Sequence, residues 1–81
     1  MSKKTRLNVD ERIKCIRILT HQFALERQML GKDSHDDLIE RCTTFVGGSG
    51  GLMLNMPISE MRGIAEEAVA AAQEFFEKHN D

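Results

Sequence analysis

Residues 58–79 read ISEMRGIAEEAVAAAQEFFEKH, and this stretch decides the fold. Its apolar side chains recur at alternating steps of three and four residues, which is the spacing of one face of an α-helix. Further apolar residues flank this stripe on both sides, which indicates that the helix packs against more than one partner. The residues expected to form its contact face are Ile58, Met61, Ala65, Ala68, Ala72 and Phe75.

A first helix is predicted in the N-terminal part of the chain. It should begin near Val9, with Asn8 as the N-cap, and run to about Leu30. Gly31 supplies the C-terminal stop, because glycine readily adopts the left-handed conformation that ends a helix. The predicted contact face of this helix consists of Ile13, Ile16, Leu19, Phe23 and Leu30.

A second, shorter helix should begin after Ser34, since Asp37 follows it at the spacing of an N-terminal capping motif. The connection from the first helix is short, so the two helices should be antiparallel neighbours or cross at a corner. We expect the two long helices to pack lengthwise and the second helix to close one end. The apolar face of the second helix comprises Leu38, Ile39, Cys42, Phe45 and Val46.

A glycine-rich run, GGSGG at residues 47–51, divides the chain. Such a run predicts a flexible coil, because glycine loses the most backbone entropy on ordering and offers no side chain to pack. The pattern is typical of spacers that protein engineers insert to join or shorten chains, although natural loops also contain it. The predicted organisation is therefore a basic arm with helices one and two (residues 1–46), a linker (47–51) and an amphipathic helical segment (52–81).

The charge distribution is strongly polarised. Residues 1–32 carry eight basic and three acidic residues, whereas residues 33–81 carry three basic and ten acidic residues. The two halves can attract each other as they pack, or the basic half can face a polyanion such as DNA. In the second case, the candidate phosphate contacts are Lys3, Lys4, Arg6, Arg12, Lys14 and Arg17.

Metal and catalytic motifs are missing from the sequence. The two cysteines, Cys15 and Cys42, are far apart and lack the paired spacing of zinc ligands, so buried free thiols are expected. No pattern places a nucleophile beside a base and its orienting group. We therefore predict no enzymatic activity, no cofactor and no metal site.

The length of 81 residues predicts one small domain that gains stability from close helix packing or from oligomerisation. No apolar run approaches the ~18 residues of a membrane span, and the N-terminus lacks the apolar stretch of a signal peptide. We therefore expect a cytoplasmic protein with no membrane partner. Alternation over residues 6–9 leaves open a short strand in a two-chain ribbon.

Together these features predict an all-α, three-helix domain that forms a larger bundle as a homodimer. Its expected function is a non-enzymatic protein–protein interaction or oligomerisation module, with itself or another helical protein as partner. The alternative is a small DNA-associated transcriptional regulator that uses the basic arm and the first helix.

Overall fold

A computed structural model describes residues 8–79 of the chain, and these residues form three α-helices. Helix α1 spans Val9–Leu30, α2 spans His35–Val46 and α3 spans Ile58–His79. Residues 8–79 contain no strand, so the all-α prediction is confirmed for the part of the chain that the structure describes. The proposed ribbon strand falls largely on residues 6 and 7, which lie outside the described residues, while Val9 belongs to α1.

Both ends of α1 carry the local signals that the sequence predicts. The Asn8 side chain accepts a hydrogen bond from the Glu11 backbone N–H at 2.8 Å, and the Glu11 carboxylate accepts one from the Asn8 N–H at 3.2 Å. This reciprocal pair satisfies two N–H groups that otherwise lack a partner at a helix start. At the other end, Gly31 has a φ of 66°, the left-handed conformation that suits glycine.

The helices run up, down and up, as two layers of core contacts show. In one layer, Ile16 of α1 packs with Val46 of α2 and with Met61 and Ile64 of α3. In the other layer, Ala24 packs against residues from the start of α2 and the middle of α3. As α1 advances, its partners therefore come from progressively earlier parts of α2 and later parts of α3, so α2 is antiparallel to both long helices.

Helix α2 lies along the two long helices and does not close one end, which corrects the predicted arrangement. Leu38 near its start and Val46 at its end belong to different core layers, so the whole length of α2 is in contact. His35 Nδ1 lies 3.0 Å from Gln73 Nε2 on α3, and this contact also follows the antiparallel course. The short connection of residues 31–34 favours such a hairpin.

The buried face of α1 differs from the predicted one. Its fully buried residues are Ile16, Thr20 and Ala24, whereas Leu19 and Leu30 are 46% and 55% exposed. The small side chains at positions 20 and 24 allow α1 to approach the alanines of α3 closely. The polar atom of Thr20 is satisfied, because its hydroxyl donates a 2.6 Å hydrogen bond to the Ile16 carbonyl.

The run Gly47–Gly51 forms a turn that continues α2, is kinked at the non-helical Gly50 and packs against α1 and α2, where the sequence predicts a flexible coil. Gly50 has a φ of 117°, a conformation that L side chains rarely adopt. Gly51 is buried, and a Cβ placed on it meets the Val46 carbonyl oxygen at 2.9 Å. Glycine is therefore required at two positions for different reasons, whereas at Gly48 a Cβ meets nothing within 4 Å.

The connection to α3 ends in a second defined turn. The Met56 N–H donates to the Gly51 carbonyl at 2.9 Å and the Asn55 N–H donates to the Leu52 carbonyl at 3.0 Å. These two bonds form the Schellman pattern that closes helix ends, and Asn55 adopts the left-handed conformation with a φ of 59°. The turn buries Met56 and leads the chain into α3 through Pro57, whose carbonyl accepts the first bonds of that helix.

Candidate interaction surface

The outer surface of α1 is unusually apolar for a helix at the edge of a small domain. Three of its 22 residues are fully buried. Soluble helices normally place charged and polar residues opposite the buried stripe, and a helix that is apolar on several sides is normally covered. The large apolar side chains of α1 that are exposed are Val9, Ile18, Leu19, Met29 and Leu30.

One line of side chains on α1 is spaced like the contact seam of a paired helix. Its members follow one another at steps of three or four residues, which places them on one side of the helix. This side flanks the buried face and lies next to α2, because Phe23 stacks on Phe45 of α2 with ring centroids 4.5 Å apart. The α1 seam consists of Arg12, Cys15, Leu19, Phe23, Glu26 and Leu30.

A cleft of about 230 Å³ opens beside the α1 seam. Arg12, Cys15 and Leu19 line it from α1, and Ser49, Gly50 and Leu54 line it from the connection between α2 and α3. The packed glycine turn therefore forms one wall of the cleft. An apolar side chain from a partner can enter there without displacing the core.

A second apolar depression lies where α2 ends and α3 begins. It has a volume of about 400 Å³, and its walls include Thr44, Gly48 and the exposed side chains Leu52 and Ile58. Met61 forms its base and at the same time belongs to the core. The surface of this depression is mostly apolar, and it shares no lining residue with the cleft beside the α1 seam.

The predicted contact residues separate into two groups in the structure. Some are buried within the chain's own core: Ile16, Met61, Ala65, Ala68 and Ala72. Others remain exposed or half-buried at the surface: Ile13, Leu19, Phe23, Leu30, Ile58 and Phe75. The first group holds the three helices together. In the second group, Ile13 and Phe23 are partly buried and pack against the core, whereas the other four side chains are exposed.

The candidate phosphate contacts within residues 8–79 are not brought together. Lys3, Lys4 and Arg6 lie outside the described residues. Arg12 and Lys14 are two positions apart on α1, and a rotation of about 100° per residue places them on opposite sides of the helix. Arg17 is paired with Glu67 of α3. Binding of DNA by these residues stays a prediction.

The most enclosed charged group joins the end of α1 to α2. Asp33 has a side chain only 6% exposed, and its carboxylate accepts two hydrogen bonds from Arg27, at 2.8 and 3.1 Å, and one from Arg41 at 3.0 Å. The hydrogen bond from Arg27, with a smaller contribution from Arg41, holds the pKa of the Asp33 carboxyl below its ordinary value. This arrangement is a structural clamp.

The two cysteines lie in different environments. Cys42 is buried in the core, as predicted, and burial together with the nearby Asp33 carboxylate raises the pKa of its thiol to about 11. The Cys42 thiol is therefore protonated at neutral pH and is not a nucleophile. Cys15 is exposed, which corrects the prediction that both thiols are buried, because it lies beside the core-facing side of α1 and not on it.

Within residues 8–79, no three His, Cys, Asp or Glu side chains lie close enough together to hold a metal ion. None of the helices in this part of the chain combines the length and the apolarity that crossing a membrane requires.

The sequence analysis placed Leu19, Phe23 and Leu30 on the contact face of α1, but it did not separate the side that meets the core from the side that stays exposed. Their regular spacing was visible, but α1 has apolar residues on several sides, and spacing alone does not tell which side meets the core. The pair Arg12 and Glu26, placed symmetrically about Leu19, is a signal that becomes meaningful only once this side is known to be exposed.

No family model matches the chain, and no curated protein or solved structure is significantly similar to it.

Proposed function

We propose that this chain is a non-enzymatic helical interaction module that associates with a second copy of itself to form a larger bundle. The single observation that carries the proposal is the outer surface of α1. It exposes five large apolar side chains on a helix with only three fully buried residues. A concentration of large exposed apolar side chains on one helix of a small domain favours an interaction site.

The chemistry of the surface also supports association over catalysis. The buried thiol has a raised pKa and the enclosed carboxylate is occupied by two arginines, so neither group is placed to react with a substrate. The cleft and the depression described above are open and lined mainly by apolar side chains. Such surfaces accept side chains of a partner helix.

Sedimentation velocity on the full chain, from low to high micromolar concentration, tests the proposal. We expect the mass to rise from 9.2 kDa toward about twice that value as concentration increases. Moderate salt should change the dissociation constant little if apolar contacts dominate. A constant mass of 9.2 kDa up to several hundred micromolar would contradict self-association.

The DNA-associated alternative is tested with the same sample. Fluorescence anisotropy with a short random-sequence duplex should show no binding at moderate salt if the module acts through protein contacts. A monomeric chain that binds the duplex, with an affinity that falls steeply as salt increases, would replace the proposal with the regulator.

A further inference from the structure

We infer that the partner of the α1 seam is the α1 seam of a second copy, paired antiparallel about a two-fold axis near Leu19. This inference rests on the self-association proposed above and specifies its surface, orientation and register. A two-fold interface brings residue i of one copy against residue j of the other, and j against i. Five of the six residues of the α1 seam occupy positions that this symmetry pairs with one another.

The pattern is centred on Leu19. In two antiparallel helices that cross at Leu19, residues at equal distances before and after it in sequence lie opposite each other. Arg12 precedes Leu19 by seven residues and Glu26 follows it by seven. Cys15 precedes Leu19 by four residues and Phe23 follows it by four. The pairing therefore places apolar contacts at the centre and an opposite-charge pair at each end.

Both charged members of the α1 seam are free to make this contact. Arg12 and Glu26 are exposed, and neither forms an ion pair with another of residues 8–79. Two other charged residues of α1 are already engaged, since Arg17 pairs with Glu67 and Arg27 with the enclosed Asp33. The α1 seam thus presents one cation and one anion that have no ion-pair partner among residues 8–79, in the positions that the two-fold axis relates.

The same charges disfavour the opposite orientation. A parallel pairing in register places Arg12 against Arg12 and Glu26 against Glu26, and like charges across an interface oppose association. The antiparallel pairing converts both repulsions into attractions. Charge therefore selects the orientation, while Leu19 and its apolar neighbours supply the contact area.

The surface beside the α1 seam has room for the second copy. The 230 Å³ cleft is lined by Arg12, Cys15 and Leu19, so it lies on the half of α1 that precedes the axis. The half that follows the axis carries the stacked pair Phe23 and Phe45. Under the two-fold symmetry, the aromatic half of each copy faces the cleft of the other.

A charge exchange tests the register. Arg12→Glu places two acidic residues opposite each other at both ends of the interface, and Glu26→Arg places two basic ones there. We expect each single variant to weaken self-association at least tenfold in sedimentation velocity. The double variant Arg12→Glu with Glu26→Arg restores opposite charges, and its dissociation constant should return to within about threefold of the wild-type value.

Lys14→Glu is the matched control, because it makes the same change of charge on the opposite side of α1. It should leave the dissociation constant within about threefold of the wild type. Circular dichroism spectra and thermal midpoints at low concentration verify that every variant remains folded. Equal weakening by Lys14→Glu, or no rescue in the double variant, would overturn the proposed register.

Disulfide trapping tests the axis independently of charge. In a Cys15→Ser background, Leu19→Cys places two thiols opposite each other on the axis, and mild oxidation should trap a covalent dimer in high yield. In the wild-type chain, the two Cys15 residues are eight residues apart along the antiparallel pair, about 12 Å in helical rise, so they should not cross-link. Efficient Cys15 cross-linking without trapping at position 19 would overturn the inference.

The outcomes separate this inference from the proposed function. A chain that self-associates but is insensitive to the charge exchange and to trapping at position 19 is still an interaction module, with its interface elsewhere. The second apolar depression, where α2 ends and α3 begins, is then the next surface to alter, through Ile58→Ser. A chain that stays monomeric at all concentrations contradicts both proposals.

Discussion

Helices α1 and α3 have the same length and very different surroundings. Each has 22 residues, yet α3 fully buries six of them and α1 buries three. Conversely, five of the large apolar side chains of α1 are exposed, compared with two on α3, Ile58 and Phe75. The apolar content of a helix therefore does not determine how many of its side chains a small domain buries.

The cause is the position of each helix relative to the other two. Both α1 and α2 supply residues that pack with α3, so its apolar stripe and the residues flanking it are enclosed. Helix α1 contributes a narrow strip of Ile16, Thr20 and Ala24, and two of those side chains are small. Beside this strip, Ile13, Phe23 and Leu25 are partly buried against the core, and the other large apolar side chains of α1 are exposed because no fourth helix in the described chain covers them.

The largest expected effect on the free energy of unfolding comes from comparing a truncated side chain on α3 with one on α1. Met61 on α3 is 3% exposed and packs in the core, so Met61→Ala should destabilise the fold by about 2–5 kcal/mol. Leu19 on α1 is 46% exposed, so Leu19→Ala should cost less than about 1 kcal/mol in the monomer. Urea unfolding at low micromolar concentration measures both. Equal losses would remove the distinction between the two helices.

An intermediate effect is expected in the connection that positions α3. Gly51→Ala brings a methyl group to 2.9 Å from the Val46 carbonyl oxygen, and relieving this clash should cost about 1–3 kcal/mol. Gly48→Ala is the matched control, because its Cβ meets nothing within 4 Å and its φ is not positive. Thermal denaturation compares the two variants. Equal midpoints would indicate that the turn is not packed as described.

The smallest effect concerns the clamp that holds the end of α1. The pKa of the Asp33 carboxyl is lowered in the folded chain, so its ion pairs contribute stability above the unfolded value of about 3.9. That contribution is lost as the pH falls through the lower, folded pKa. Asp33→Asn should therefore lower the melting temperature by a few degrees at pH 7, and the difference from wild type should shrink near pH 2.

Asp36→Asn serves as the control for this pH dependence, because Asp36 is exposed and forms no ion pair with the rest of residues 8–79. Its effect on the melting temperature should be smaller than that of Asp33→Asn at pH 7. A difference between wild type and Asp33→Asn that stays constant from pH 7 to pH 2 would contradict the clamp.

The helix boundaries and the contact face of α3 were largely predictable because they depend on local signals. The caps at Asn8, Gly31 and Ser34 lie within one turn of the helix that each one starts or ends. In α3, one stripe is clearly more apolar than the rest, and four of its six predicted residues are buried. Ile58 and Phe75, at the two ends of the stripe, are exposed because the neighbouring helices do not cover them.

The face of α1 and the state of the glycine run depend on contacts between distant residues. Thr20 has a polar side chain, but it can be buried because its hydroxyl donates a hydrogen bond to the Ile16 carbonyl in the same helix. The glycine content of residues 47–51 predicts a flexible backbone. The close approach of Gly51 to the Val46 carbonyl oxygen depends on the folded turn, so it cannot be derived from composition. The clamp on Asp33 joins residues six and eight positions away, and nothing in the sequence singles it out.

The up, down and up course of the chain also bears on how it folds. Helix α2 packs on both of its sequence neighbours, whereas α1 packs more extensively on α3 than on α2, and small helical domains typically fold in microseconds to milliseconds. During synthesis the hairpin of α1 and α2 leaves the ribosome first, with the inner face of α1 still uncovered. Because α3 is tethered to the hairpin by a short connection, its effective concentration at that face is in the millimolar range. The tether thus favours α3 over other chains at the inner face of α1, while the outer face of α1 stays exposed.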